Sequence, residues 1–178
     1  PPGTEPDPLP AARCAAARET REEVGLEVDA SSLVFWSHWL PPSIAPKRFS
    51  TWFFLAPATA LHADEHVGID GDEVHAHRWI TPADALAAQA RSEVQLAPPT
   101  FITLHDLAPH GNVADAIAAA HPEHFVTRVV LGADGVRYCL WAGDAGYESG
   151  DLSADGDRHR IAMVEGGWHY DRTARRAS

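Results

Sequence analysis

The sequence predicts an α/β or α+β domain followed by a small β-rich C-terminal extension, on three observations. An Ala-, Arg- and Glu-rich helix over residues 11–24 precedes two strands, at residues 33–40 and 48–55. Further helices open at Thr81-Pro82, at Pro98-Pro99 and at Asn112. Beyond residue 121 the helical pattern gives way to short apolar runs separated by Gly- and Asp-rich turns.

Residues 1–10 hold five prolines and read as a loop, since each proline removes a ladder donor. The helix over 11–24 ends at Gly25, where a left-handed cap belongs, and its inner stripe is expected to be Cys14, Ala17, Thr20 or Arg21, and Val24. Aromatic and β-branched residues mark the two strands that follow, with a proline-rich turn over 41–46 between them. Residues 57–72 read as a polar loop and 73–80 as another strand. Thr81 is expected as N-cap of a helix through Ala90, with Pro82 at its first position. Helices over 100–107 and from Asn112 to Ala120 follow, then a hairpin of 125–131 with 136–141. A second strand pair is expected over 159–164 and 168–170. The expected division is a loop over 1–10, a main domain over 11–120 and an extension over 121–178 that packs on it. Trp141, Tyr147 and Trp168 in that extension suggest a homodimer surface.

The chain has 178 residues and a formal charge of −11. Such a surface repels a long phosphate backbone, which argues against a nucleic-acid module. A small polyanion remains compatible where a divalent cation bridges it to carboxylates. Two distant cysteines, Cys14 and Cys139, point to a reducing cytoplasm rather than a disulfide scaffold. No apolar run is long enough to span a bilayer. The serine-hydrolase elbow, the P-loop and the dinucleotide-binding glycine pattern are all missing.

The chemistry-bearing stretch is Arg18-Glu19-Thr20-Arg21-Glu22-Glu23-Val24-Gly25-Leu26. At about 100° per residue, Glu19, Glu22 and Glu23 fall on one helical face. Like charges three and four apart repel by a few tenths of a kcal/mol, and a hard divalent cation reverses that sign. A solvated face neutralised by Arg13, Arg18 and Arg21 is the plainer alternative.

Arg18 to Leu26 resemble the second half of the signature box of the Nudix hydrolases, which reads Arg-Glu-aliphatic-any-Glu-Glu-any-Gly-aliphatic. Thr20 departs at the first aliphatic position, and Pro10 and Thr4 stand where the first half has a glutamate and a glycine. Trp39-Leu40-Pro41-Pro42, Lys47 to Thr51, and Trp79 to Leu86 are similar to the branch related to peroxisomal coenzyme A diphosphatases. In that branch an insertion separates the two halves of the box. The resemblance covers roughly residues 11–107 and implies a Nudix-like α/β/α sandwich with a mixed sheet. It also implies Mg²⁺ or Mn²⁺ held by Glu19, Glu22 and Glu23, with Arg18 orienting the carboxylates and Glu23 central. The implied reaction is hydrolysis of a pyrophosphate bond in a nucleotide-containing small molecule, coenzyme A or its esters among the candidates. A non-catalytic Nudix-fold module that binds a nucleotide or a protein is the rival reading.

Other residues are candidates for smaller roles. Asp72 and Glu73 sit at a loop-to-strand junction, where the Nudix resemblance implies an extra carboxylate, expected to be Glu73; a polar strand start is the plainer alternative, and Asp64 and Glu65 compete for that place. Lys47 and Arg48 are expected to hold substrate phosphate, and Trp39, with Trp36 and Trp52, to stack on a base. His75 and His77 share a strand face and suggest a zinc pair without an evident third ligand. A sheet of this kind needs strands before the carboxylate helix as well. An upstream segment with at least two strands and a Gly-Gly turn is therefore expected, either truncated, disordered or supplied by another chain.

Overall fold

A computed structural model describes residues 7–42, 49–57 and 79–173. The chain divides into two compact units: Pro1–Trp36 with Trp52–Trp79, and Ser37–Thr51 with Ile80–Ser178. The elements are α1 (Leu9–Val24), a short 3-10 turn (Ala30–Ser32), β1 (Val34–Leu40), β2 (Thr51–Leu55), α2 (Pro82–Ala90), α3 (Pro98–Leu107) and α4 (Val113–Ala118). The remaining strands are β3 (Glu123–Val126), β4 (Arg128–Leu131), β5 (Arg137–Leu140), β6 (His159–Met163) and β7 (His169–Arg172). Among the described residues three strands form one sheet in the order β2-β1-β3, and four form an antiparallel sheet in the order β4-β5-β6-β7. Helices with a parallel β1–β3 pair and an antiparallel C-terminal sheet make an α/β fold. No helix among the described residues is long and apolar enough to cross a membrane.

In the first unit α1 starts two residues earlier than expected, at Leu9, because Pro10 fits the first helical turn, whose N–H groups have no intrahelical partner. Its inner face differs in part. Ala17 and Thr20 are half-buried as expected, with Ala12 and Ala16 beside them, whereas Cys14 is exposed. Small side chains there allow close approach of a neighbouring backbone. Within the same unit Phe35 lies against Trp52 and Phe54, at ring-centroid distances of 5.2 and 5.9 Å.

In the second unit the helix starts follow the expected chemistry. Thr81 Oγ1 accepts from the Asp84 N–H at 3.1 Å, and Asn112 Oδ1 accepts from the Asp115 N–H at 2.9 Å. Of the strand expected over 73–80 only Trp79 and Ile80 lie within the described residues, and both are irregular and exposed. The run 125–131 is not one hairpin strand either. It breaks at Thr127, whose N–H donates to Leu40 O at 3.0 Å, so its first half pairs with β1 and its second with β5.

The parallel register sets Trp39 beside Phe125 and His38 beside His124. Alternation along the strands then sends the aromatic pair to the core and the histidine pair to the opposite face. Trp39 and Phe125 stack with centroids 3.8 Å apart, and Trp141 packs edge-on against both. Of the aromatics suggested for a homodimer surface, Trp141 is 1% exposed and belongs to the core, whereas Tyr147 and Trp168 are half-buried.

The long loop between β5 and β6 is pinned by one buried ion pair. Asp144 accepts Arg160 Nε at 2.7 Å and Nη2 at 2.5 Å, together with the N–H groups of Gly146 and His159. His159 beside it is buried among Phe125, Trp141 and Tyr170. Its Nδ1–H donates to Ala142 O at 2.9 Å, and its Nε2 has no hydrogen-bond partner among the described residues. Burial first, and then Arg172, lower the His159 pKa below 6.5, against the opposing backbone bond and the carboxylates of Glu123 and Asp144.

A depressed histidine pKa makes the unfolded chain the better proton acceptor. Its effect is absent well above pH 6.5 and grows as pH falls below it. The expected loss approaches 1.4 kcal/mol per pH unit for this one group. Urea unfolding at pH 7.5 and 5.5 should show a steeper loss in the wild-type chain than in His159→Asn. Equal pH slopes would mean that His159 charges freely in the folded state.

Candidate active site

Alanine, arginine and glutamate all favour the helical state, and α1 carries them through its last two turns. Gly25 ends the helix at φ 71°, with its N–H donating to Arg21 O at 3.1 Å. A side chain at that left-handed position would meet the backbone, so glycine is the natural stop directly after the last carboxylate. The departure from the box at Thr20 is absorbed locally. Its hydroxyl donates to Ala16 O at 2.8 Å, one turn back, and the residue is half-buried.

Arg18 reaches Glu19 at 3.4 Å and Glu22 at 3.6 Å, with all three side chains more than half exposed. Pairs this open contribute only a few tenths of a kcal/mol, so Arg18 restrains carboxylate direction more than it stabilises the helix. Glu23 is half-buried on the same helix. All three carboxylates are therefore carried by the last two turns of α1.

Whether this set fits a divalent cation depends on donor chemistry and on convergence. Three carboxylates on one helical face, only two of them within reach of Arg18, are hard oxygen donors carrying unbalanced negative charge. They fit Mg²⁺ or Mn²⁺ in kind. Among the described residues, however, no group of three or more such side chains closes on a single point.

The remaining expected site residues fare unevenly. Glu73, with Asp72, Asp64, Glu65, His75 and His77, lies outside the described residues, as do Lys47 and Arg48. Trp36 and Trp39 are 5% and 3% exposed, and Phe125 covers one face of the Trp39 ring. Trp39 thus serves the core and is not open to stack on a base; sequence could not anticipate this, because Phe125 arrives from far along the chain.

In the second unit Trp39 also borders a cavity of about 320 Å³, lined by Pro42, Phe49, Pro98, Met163 and the exposed Arg137 among others. Proline, aromatic and thioether surface makes it apolar. The Arg137 guanidinium makes no hydrogen bond or ion pair with a described residue. No local pattern announces this cavity, since its walls come from six separate segments.

Sequence reading also missed a polar constellation on the sheet face opposite Trp39. His38 Nδ1 lies 3.1 Å from His124 Nδ1, and His38 Nε2 lies 2.5 Å from Ser50 Oγ. The only signal was one histidine in the expected strand over 33–40 and another directly before the apolar run over 125–131, and pairing them required the β1–β3 register.

Comparison with known proteins places these observations in a wider context. The family model of the NUDIX domain matches residues 1–100. Over 76 residues the chain is 36% identical to the acyl-coenzyme A diphosphatase NUDT19 of Xenopus laevis, a stretch covering 40% of this chain and 19% of that relative. No solved structure matches the chain.

Proposed function

Because this chain belongs to the NUDIX domain family, we propose that it hydrolyses the pyrophosphate bond of a nucleoside diphosphate linked to another group. The observation that carries the reading is α1. It presents Glu19, Glu22 and Glu23 in the family's spacing, steadied by Arg18 and ended by Gly25 in a left-handed turn. Glu19, Glu22 and Glu23 would hold Mg²⁺ or Mn²⁺, which when bound neutralises pyrophosphate oxygens and lowers the pKa of an attacking water.

The chain's own groups do the rest. Arg18 keeps the Glu19 and Glu22 carboxylates directed by charged contacts on both sides. A helix carboxylate, or Glu73, takes the proton from the attacking water, which needs a base within hydrogen-bond reach. Lys47 and Arg48 hold phosphate oxygens as the leaving group departs. The named relative is an acyl-coenzyme A diphosphatase, which supports coenzyme A or an acyl-CoA as substrate.

The test is product analysis. Incubating the full chain with acyl-CoA and Mg²⁺ or Mn²⁺ should release two phosphomonoesters, resolved by ³¹P NMR, and EDTA should stop the release. An unchanged diphosphate resonance with acyl-CoA, coenzyme A and nucleoside diphosphate sugars alike would reject the hydrolase reading. One observation favours a second reading, a non-catalytic module that binds a nucleotide or a protein. Pro10 stands at a box position that the family fills with glutamate, and here it serves the first turn of α1. Tight nucleotide binding without product release would identify that module.

A further inference from the structure

We propose that His38 and His124, on adjacent parallel strands, form a two-nitrogen binding site for a borderline transition-metal ion such as Zn²⁺, Ni²⁺ or Cu²⁺. The two residues are register partners, so their side chains leave the sheet on the same face, opposite the Trp39–Phe125 stack. Their Nδ1 atoms lie 3.1 Å apart. With metal–nitrogen bonds of about 2.0–2.1 Å, two imidazoles on a tetrahedral ion place their nitrogens about 3.3 Å apart. The strands therefore already hold the pair at nearly the spacing a metal needs.

The tautomers agree with this use. In the metal-free pair one Nδ1–H donates to the other Nδ1. Metal binding needs both Nδ1 lone pairs, so each ring proton must sit on Nε2. For His38 that Nε2–H has an acceptor in place, Ser50 Oγ at 2.5 Å. A partner on the second ring nitrogen is what fixes a ligating histidine's tautomer and direction. Two nitrogens supply half of a four-coordinate shell, and His124 is exposed while His38 is half-buried. Burial, and then the neighbouring His124, lower the His38 pKa below 6.5, so its neutral form prevails at pH 7. Imidazole nitrogen favours these ions over Mg²⁺, which prefers oxygen, so excess Mg²⁺ leaves the pair available.

The test uses the untagged full chain titrated with Zn²⁺ in excess Mg²⁺, by calorimetry. One site is expected to weaken at least tenfold in His38→Gln and to the same degree in His124→Gln. Thermal melts in EDTA check that each variant folds. In the wild-type chain, Cu²⁺ paramagnetic resonance should show coupling to two equivalent imidazole nitrogens. Should either variant misfold, long-range ¹H–¹⁵N spectra of the wild type decide: two histidine Nδ1 resonances should move together on Zn²⁺ addition. Identical isotherms in wild type and both variants, loss in only one of them, or unmoved Nδ1 resonances would overturn the site.

Discussion

Glu23→Gln is expected to lower kcat/KM for pyrophosphate hydrolysis by about a thousandfold, equivalent to about 4 kcal/mol of transition-state stabilisation. The size of the effect follows from how little else the substitution changes. Gln matches Glu in volume and nearly in helix propensity, and Glu23 makes no ion pair with a described residue, so folding should be preserved. What disappears is one negative oxygen from a face of three, at the half-buried position where water screens least. Glu27→Gln, an exposed change just beyond the helix, serves as the control for charge alone and should leave turnover intact. The comparison requires equal melting temperatures and steady-state kinetics with Mg²⁺ and with Mn²⁺. Full turnover in Glu23→Gln, together with indifference to EDTA, would leave only the binding-module reading.

Features that sequence disclosed here are those whose causes are local. Gly25 ends α1 because its own backbone needs φ 71°, and Thr81 and Asn112 start helices because their side chains reach N–H groups three residues ahead. The spacing of Glu19, Glu22 and Glu23 needs only the helical repeat. Features set by partners far along the chain were illegible. The run 125–131 looks like one strand by composition, and its break at Thr127 is imposed by Leu40 O. His38 and His124 are 86 residues apart, and nothing in either neighbourhood marks the other. Trp39 offers the same lesson in reverse: an aromatic beside a proline-rich turn suggests a binding surface until Phe125 is laid on it. The Gly- and Asp-rich stretch from Asp144 to Asp157 reads as featureless loop, yet it opens on the buried carboxylate that pairs with Arg160 in β6.

Asp144→Ala is expected to destabilise the chain by about 3–5 kcal/mol, the cost of leaving one partner of a buried ion pair alone. The Asp144 side chain is fully buried and that of Arg160 is 9% exposed, so water cannot replace the lost carboxylate in place. Arg160 would lose both carboxylate hydrogen bonds and keep only the one from Nη1 to Leu152 O at 2.9 Å. The Gly146 and His159 N–H groups would lose their acceptor at the same time. Burial alone would raise the Asp144 pKa, but the Arg160 hydrogen bonds and those two N–H groups outweigh it and hold it below 3.8. A depressed carboxyl contributes stability that is present above the unfolded value and lost as pH falls through the folded one. Acid below the ordinary carboxylate range should therefore reproduce part of the Asp144→Ala effect in the wild-type chain. Urea unfolding gives the magnitude, and the double variant with Arg160→Met separates its two sources. Removing both charges abolishes the uncompensated guanidinium, so the double variant should be less destabilised than the sum of the single ones. A loss under about 1 kcal/mol in Asp144→Ala would mean that the loop opens and hydrates Arg160 instead. In that case the ion pair would be dispensable to the fold.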